Sequence, residues 1–512
     1  MFQCFFNCDH SFLLICGLRQ IVRGIREYKD YAYRMGIALF LFAFLIRLIS
    51  LLTSGGFDSV LGYDDGVYFG AATAFVHGLV PYKDFVMVHP PGILLILAPF
   101  SLLAKITTDA FGLYLARLFF MFIGATNTYL IFRVGRRFNR STGVIAALIY
   151  ATWMPVVRIE RTPYLEAIGC LALLVALYLL QKPKVFTNRV VISGAFLGFT
   201  VATKLWFAVS VAIITLCFLF YREFKRAFIF GVSAVTTFLA VISTFWIRAG
   251  NRFWELILNA QLNRGGGYID PESRISQIFN YASLNFIHKE RIRVAIGIAL
   301  ILLVAIPFVK FFRRREQGLL ILALFVAQFI VLMKTPVFFN AYPSFVAATF
   351  ALIAGISFGA LHRNIVTAAF IAVLVLGGAY GAFTQAPGRD LPTKIEQATL
   401  KQSKCVTSDS PVVLALTNTL SRDLENDCHL LFDVTGTIYG IDNGANPYHR
   451  SATSRRLRSV QYQSELLRYL SSGHTIILAR ERNDGLRPET FKELLANRKI
   501  TKTKSFLIIS KV

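Results

Sequence analysis

Eleven apolar runs, set between clusters of arginine and lysine, constrain this chain more than any other feature. They fall at about 35–53, 111–132, 143–157, 164–180, 190–203, 205–221, 227–247, 294–309, 319–333, 342–358 and 365–383. Runs of about 17–25 apolar residues are long enough to cross a bilayer as helices. In all, 55% of the 512 residues are hydrophobic and the mean hydropathy is +0.56, beyond what a single globular core calls for. The apolar residues are expected to face lipid and neighbouring helices. The fold class that follows is an α-helical polytopic membrane protein with about eleven transmembrane helices.

The charges orient it. The formal net charge is +25. Arg19, Arg23, Arg26, Lys29 and Arg34 precede the first run. Arg133, Arg136, Arg137 and Arg140 follow the second, and Lys182, Lys184, Arg189, then Arg222, Lys225, Arg226, then Arg313, Arg314 and Arg315 mark later turns. Because cytoplasmic loops collect Lys and Arg, these turns read as cytoplasmic in a multi-pass plasma-membrane protein. The N-terminus is then inside, and an odd number of spans leaves the C-terminus outside. Positive charge scattered between spans is not the basic face of a nucleic-acid binder. The cations left on the outer side need another partner, and a phosphorylated lipid is the natural one.

Three regions follow. Residues 1–34 form a basic cytoplasmic segment, residues 35–384 the membrane region with outward loops 54–109 and 248–293, and residues 385–512 a small extracytoplasmic α/β domain. In that domain 412–416, 429–433, 475–479 and 505–509 read as strands, and 420–425, 461–470 and 488–496 as helices. The first 17 residues lack a basic n-region and a cleavage site, so they do not read as a signal peptide; Met35 is an alternative start. Cys405 and Cys428, in the exported domain, are candidates for a disulfide, and no CxxC pattern occurs among the seven cysteines. Arg47 interrupts the first run and is expected to snorkel or to face the bundle interior. Within the first outward loop, 66–77 is amphipathic. The apolar stretch 91–106 is expected to lie at the interface or dip into the bundle.

That loop carries the chemistry. Tyr63-Asp64-Asp65-Gly66-Val67-Tyr68 places two carboxylates at the start of a helical stretch, with Asp64 and Tyr68 on one face. Capping a helix needs only one carboxylate. Pro81-Tyr82-Lys83-Asp84 and His89-Pro90-Pro91-Gly92 follow. Taken singly, Asp84 and His89 read as surface polar groups, and Pro-Pro as a helix start.

Together, Asp64-Asp65-x-x-Tyr68, then Gly78-x-x-Pro81-Tyr82-x-Asp84, then His89-Pro90-Pro91 resemble the first outward loop of the GT-C glycosyltransferase superfamily. The similarity is to the branch holding protein O-mannosyltransferases and lipid A aminoarabinose transferases. Glu166 stands where members carry an acidic residue, and Lys204 resembles their Lys at the outer end of a short span. Arg158 and Arg161, with Glu166, frame the short outward loop between the runs 143–157 and 164–180, the second on that side in chain order, where an Arg161–Glu166 ion pair is the plainer reading. Arg264, before Gly265-Gly266-Gly267, offers a cation beside a flexible backbone. Relatives carry a His before the position of Tyr342, whereas Asn340 and Ala341 stand here. The inserted lumenal domain of the protein O-mannosyltransferases is missing too.

The resemblance implies transfer of a sugar from a polyprenyl-phosphate donor to an extracytoplasmic glycan, lipid or protein. Such a donor carries a good leaving group. The site needs a base for the acceptor hydroxyl and positive charge for the departing phosphate. The resemblance and the position make Asp64 the base. Asp65 is expected to orient the acceptor or to hold a divalent cation, Mg or Mn, of which an adjacent pair supplies only part of a shell. Tyr68, Asp84, His89, Arg158, Arg161, Glu166, Lys204, Arg264 and Tyr342 complete the candidate substrate-binding residues. A lipid-linked-saccharide flippase shares the spans and the cations, but calls for charges at the midplane of several helices. Only Arg47 and Arg117 meet that description. A scaffold whose exported domain binds a partner is a third reading.

Overall fold

The computed structural model describes residues 10–181, 185–265, 270–280, 291, 292, 294, 295, 297, 298, 316–361, 365–384, 388, 400–479, 485–503 and 505–511. The run 294–309, the arginines at 313–315 and the start of the proposed C-terminal domain lie largely or wholly outside these residues.

The described chain is mostly helical. In order come α1 (His10–Thr53), α2 (Asp64–Val76), α3 (Gly92–Ile106), α4 (Asp109–Gly135), α5 (Arg140–Thr152), α6 (Met154–Glu160), α7 (Leu165–Leu180), α8 (Thr187–Val201), α9 (Ala208–Phe220) and α10 (Phe224–Ala249). Further helices span Pro271–Asn280, Glu316–Lys334, Ser344–Leu361 and Ile365–Phe383. By length and apolar composition three helices can cross a membrane: Ala32–Thr53 of α1, α4 and α10. A fourth crossing arises if α5 and α6, bent by 65° to each other, count as one. The bend has a local cause. Trp153 is extended, and Pro155 in the first turn of α6 has no N–H to continue the helix. Among the described residues Gly92–Ile106, Leu165–Leu180, Leu205–Phe220, Gly318–Lys334, Ser344–Gly359 and Ile371–Phe383 are shorter apolar helices, below the length of a full span.

Helix ends follow their sequence. Asp64 and Asp65 lie in the first turn of α2, where carboxylates suit the helix dipole. Thr108 and Asn139 cap α4 and α5 through Phe111 N–H and Thr142 N–H. Arg47 turns to the bundle interior. It is fully buried, pairs with Glu160 of α6, and donates to the Ala43 carbonyl at 2.9 Å.

The C-terminal segment forms a four-stranded sheet ordered β1-β2-β4-β3, from β1 (Val406–Ser408), β2 (Thr475–Leu478), β3 (Arg498–Lys502) and β4 (Leu507–Lys511). β1 pairs with β2 in parallel, and the other pairs are antiparallel. Two expected strands are corrected. Residues 412–416 fall in a helix, Pro411–Leu416, because Pro411 in the first turn is preset for helical φ. Residues 429–433 form a loop whose Phe432 and Asp433 turn toward α2 rather than into the sheet. Cys405 and Cys428 are disulfide-bonded, their Cα atoms 5.9 Å apart.

One apolar core runs without a break from α2, α3 and α4 into this segment, taking in Val412, Ile438, Tyr462 and Ile476. A second core joins α4, α5, α7 and α8 with Ser344–Leu361. Gly66 lets the two regions meet: a Cβ there would fall 2.6 Å from Val412 Cα.

Candidate functional site

The site gathers at the N-terminal end of α2. Asp65 faces inward and is fully buried. Its Oδ2 accepts from Arg117 of α4 at 3.1 Å and from Thr162 at 2.8 Å, while its Oδ1 accepts from Gly66 N–H at 3.0 Å. It thus ties α2, α4 and the α6–α7 loop together. With both oxygens engaged, Asp65 does not offer the free donor set that a Mg or Mn ion needs. Among the described residues no group of three or more His, Cys, Asp or Glu could hold a metal.

Asp64 differs. Its side chain is partly open, and no described donor forms a hydrogen bond to it. Burial, then the Asp433 carboxylate, push its carboxyl up to about 6, against the pull of Arg264; Glu166 and Asp65 add to the rise. A carboxylate with free lone pairs and a pKa near neutrality is suited to taking a proton.

Around Asp64 stand an aromatic wall and a cationic one. Tyr68, one turn along α2, meets His89 edge-on at 5.7 Å and Tyr164 at 6.5 Å. Burial, then Arg264 and Lys204, hold the His89 imidazole well below its ordinary pKa, so it is neutral near pH 7. Lys204 pairs with Glu166 of α7, and its Nζ lies 4.4 Å from the Trp206 ring and 4.7 Å from the Tyr342 ring. Arg264 lies over Phe339 at 5.2 Å and Tyr439 at 5.8 Å. The Pro-Pro-Gly motif is what brings His89 to Lys204. Gly92 donates to the Ala202 carbonyl at 2.7 Å, and a Cβ on Gly92 would sit 2.7 Å from that oxygen.

Asp64, Tyr68, His89, Glu166, Lys204, Arg264 and Tyr342 therefore converge. Three other candidates stand apart. Asp84 is exposed and accepts from Val80 N–H at 2.7 Å, holding its own turn. Arg161 is buried but donates to the Ser50 carbonyl at 2.8 Å and to Ser50 and Ser54 hydroxyls, anchoring the end of α1. The Arg161–Glu166 pair is replaced by Glu166–Lys204, because the two ends of the α6–α7 connection face different neighbours. Arg158 is half-buried and acts electrostatically on Arg161 and Tyr164.

The sequence reading missed Asp433 and Tyr439, both from the C-terminal segment. Asp433 Oδ1 accepts from Tyr63 OH at 3.0 Å and from Gly436 N–H at 2.8 Å, and Tyr63 OH in turn accepts from Thr435 N–H at 2.9 Å. The one sequence signal was Asp433-x-Thr435-Gly436, a turn signature like many others.

Residues 87–336, just under half of the chain, match the model of Glycosyltransferase family 87. The fold is similar to that of ArnT from Cupriavidus metallidurans, solved bound to undecaprenyl phosphate. The identity is 12%, with 93% of this chain and 98% of that one covered, and the TM-score is 0.54. It is also similar to the oligosaccharyltransferase AglB from Archaeoglobus fulgidus, solved with an inhibitory peptide and a dolichol-phosphate. There the identity is 12%, the coverage 93% and 74%, and the TM-score 0.52. A search of curated proteins gave no match.

Proposed function

The chain has the fold of the GT-C superfamily of membrane glycosyltransferases, which its first loop resembles, and on that premise we propose that it transfers a sugar from a polyprenyl-phosphate donor to an extracytoplasmic acceptor. The observation that carries the reading is Asp64, a carboxylate to which no described residue donates a hydrogen bond, beside Arg264 and next to the Lys204–Glu166 pair.

In this reading Asp64 takes the proton of an acceptor hydroxyl as its oxygen attacks the anomeric carbon. The bond from that carbon to the phosphate oxygen breaks, and polyprenyl phosphate leaves as an anion. Arg264 and Lys204, in a poorly hydrated site, meet its charge, where such contacts are strong. Neutral His89 can donate one hydrogen bond without adding charge. Tyr68 and Tyr342 line the sugar and hold the cations in place. Asp65, through Arg117 and Thr162, fixes the helix that carries Asp64. The ArnT and AglB structures hold undecaprenyl phosphate and dolichol-phosphate, which supports a lipid-linked donor. The topology that goes with this function is a multi-pass plasma-membrane protein with a cytoplasmic N-terminus and the α/β domain (residues 385–512) outside.

The test is transfer by the purified, reconstituted protein from a panel of radiolabelled polyprenyl-phosphate sugars to glycoside, lipid and peptide acceptors. Asp64→Asn is expected to lower transfer by about 10²–10⁴-fold, the worth of a positioned base. Full activity in Asp64→Asn would remove it as base. Transfer from no donor would reject the enzyme reading in favour of a lipid-linked-saccharide flippase.

A further inference from the structure

We propose that Asp433 is an acceptor-binding residue lent to the site by the C-terminal segment, and that the acceptor is a carbohydrate presenting two neighbouring hydroxyls. The inference rests on the glycosyl-transfer reading above and names its acceptor class.

Asp433 stands far from the first loop in sequence, 370 residues from its partner Tyr63, yet it is placed with care. Oδ1 is fixed by Tyr63 OH, by Gly436 N–H and, at 3.3 Å, by the Thr435 hydroxyl. No described donor reaches Oδ2, although the residue is only 7% exposed. A carboxylate this buried is ordinarily satisfied on both oxygens, so Oδ2 is an open acceptor. Gly436 keeps it uncovered, since a Cβ at that position would strike it. The docking that brings Asp433 here is close-packed: Val412 lies against Gly66, and Phe432 against Gly70 at 3.3 Å from its would-be Cβ.

What Asp433 binds follows from its neighbours. The charged groups acting on Asp64 are Asp433, Arg264, Glu166 and Asp65. Glu166 is paired with Lys204, and Asp65 with Arg117. The cations mark the phosphate end of the site, where a further carboxylate would repel the donor. Asp433 instead neighbours the proposed base, which must face the acceptor hydroxyl. An anion there favours a neutral group rich in O–H donors. One hydroxyl gives its proton to Asp64, and the adjacent hydroxyl donates to Asp433 Oδ2. A serine or threonine side chain has a single hydroxyl and cannot do both.

The test is Asp433→Asn in the full-length reconstituted protein. The side-chain carbonyl keeps the bonds from Tyr63 and Gly436 that hold the turn, while the amide replaces Oδ2 by a donor. With alkyl glycosides as acceptors and a polyprenyl-phosphate sugar as donor, acceptor KM is expected to rise about 10–100-fold, the worth of a hydrogen bond to a charged group. Donor KM and the melting temperature stay unchanged. In the wild type, an acceptor deoxygenated beside the reacting hydroxyl is expected to show the same loss, and Asp433→Asn to add nothing further. An unchanged acceptor KM, a raised donor KM, or transfer to hydroxyl peptides but to no glycoside would each overturn the proposal. Asp64→Asn in the same assay separates its failure from that of the base, because loss of transfer there leaves the glycosyl-transfer reading standing whatever Asp433 does.

Discussion

Removing Arg117 tests whether Asp65 supports the site or acts in it. Both side chains of the Arg117–Asp65 pair are fully buried, 3.1 Å apart. Breaking a buried pair from one side costs about 3–5 kcal/mol, because the remaining charge stays desolvated. Thr162 and Gly66 still donate to Asp65, which places the cost of Arg117→Met near the lower end, about 3 kcal/mol, or about two decades in the unfolding equilibrium at 1.4 kcal/mol per decade. In the double variant Asp65→Asn, Arg117→Met neither charge remains, and the side-chain carbonyl of the introduced amide can still accept from the Thr162 hydroxyl. Most of the loss should return, as it does when buried pairs are replaced by uncharged residues. Reversible SDS unfolding in mixed micelles measures the stabilities, and sugar transfer measures the consequence. If Asp65 only positions the helix bearing Asp64, the double variant recovers activity along with stability. Recovered stability with transfer still abolished would give Asp65 a direct part in the chemistry. A cost below about 1 kcal/mol for Arg117→Met, the level of a surface pair, would refute the argument from burial.

Three further outcomes are expected. The Asp64 carboxyl is pushed up to about 6 and must be ionised to act as base, so kcat/KM should climb with pH through about 6 and level off above it; a profile flat from pH 5 to 8 would contradict the assignment. Gly66→Val drives a side chain into the Val412 backbone, where overpacking costs about 1–3 kcal/mol; hydrogen exchange at 412–416 should accelerate, and transfer should fall even though Asp64 and Asp65 are intact. Reducing the Cys405–Cys428 disulfide reopens a sequence separation of 23, worth about 3 kcal/mol by loop entropy, so the C-terminal segment should lose protease resistance before the helices do.

What could be read in advance divides along a physical line. The helical framework and the positions of Asp64, His89 and Lys204 were legible, because apolar periodicity is a local property and the first-loop motif is compact in sequence. Arg47 was placed between two alternatives, and the Glu160 carboxylate decided for the interior. The span count was less legible. A run of apolar residues does not reveal a break such as the 65° bend at Trp153 and Pro155, which depends on backbone geometry at one turn. In the C-terminal segment, 412–416 has the composition of a strand, and the helix there forms because Pro411 starts it and α2 packs on it.

The sequence by itself determined a helical chain rich in apolar runs, the carboxylate-bearing loop that follows its first run, and the cations placed between later runs. Only the tertiary structure decided how the two adjacent carboxylates differ. Asp65 is turned into a buried net with Arg117 and Thr162, while no described residue donates to Asp64. It also decided that Lys204 pairs with Glu166 and that the C-terminal segment brings Asp433 to the site. The reason is that hydrogen bonding and burial depend on which distant residues arrive at a point in space, and adjacent positions on one helix turn point to different neighbours.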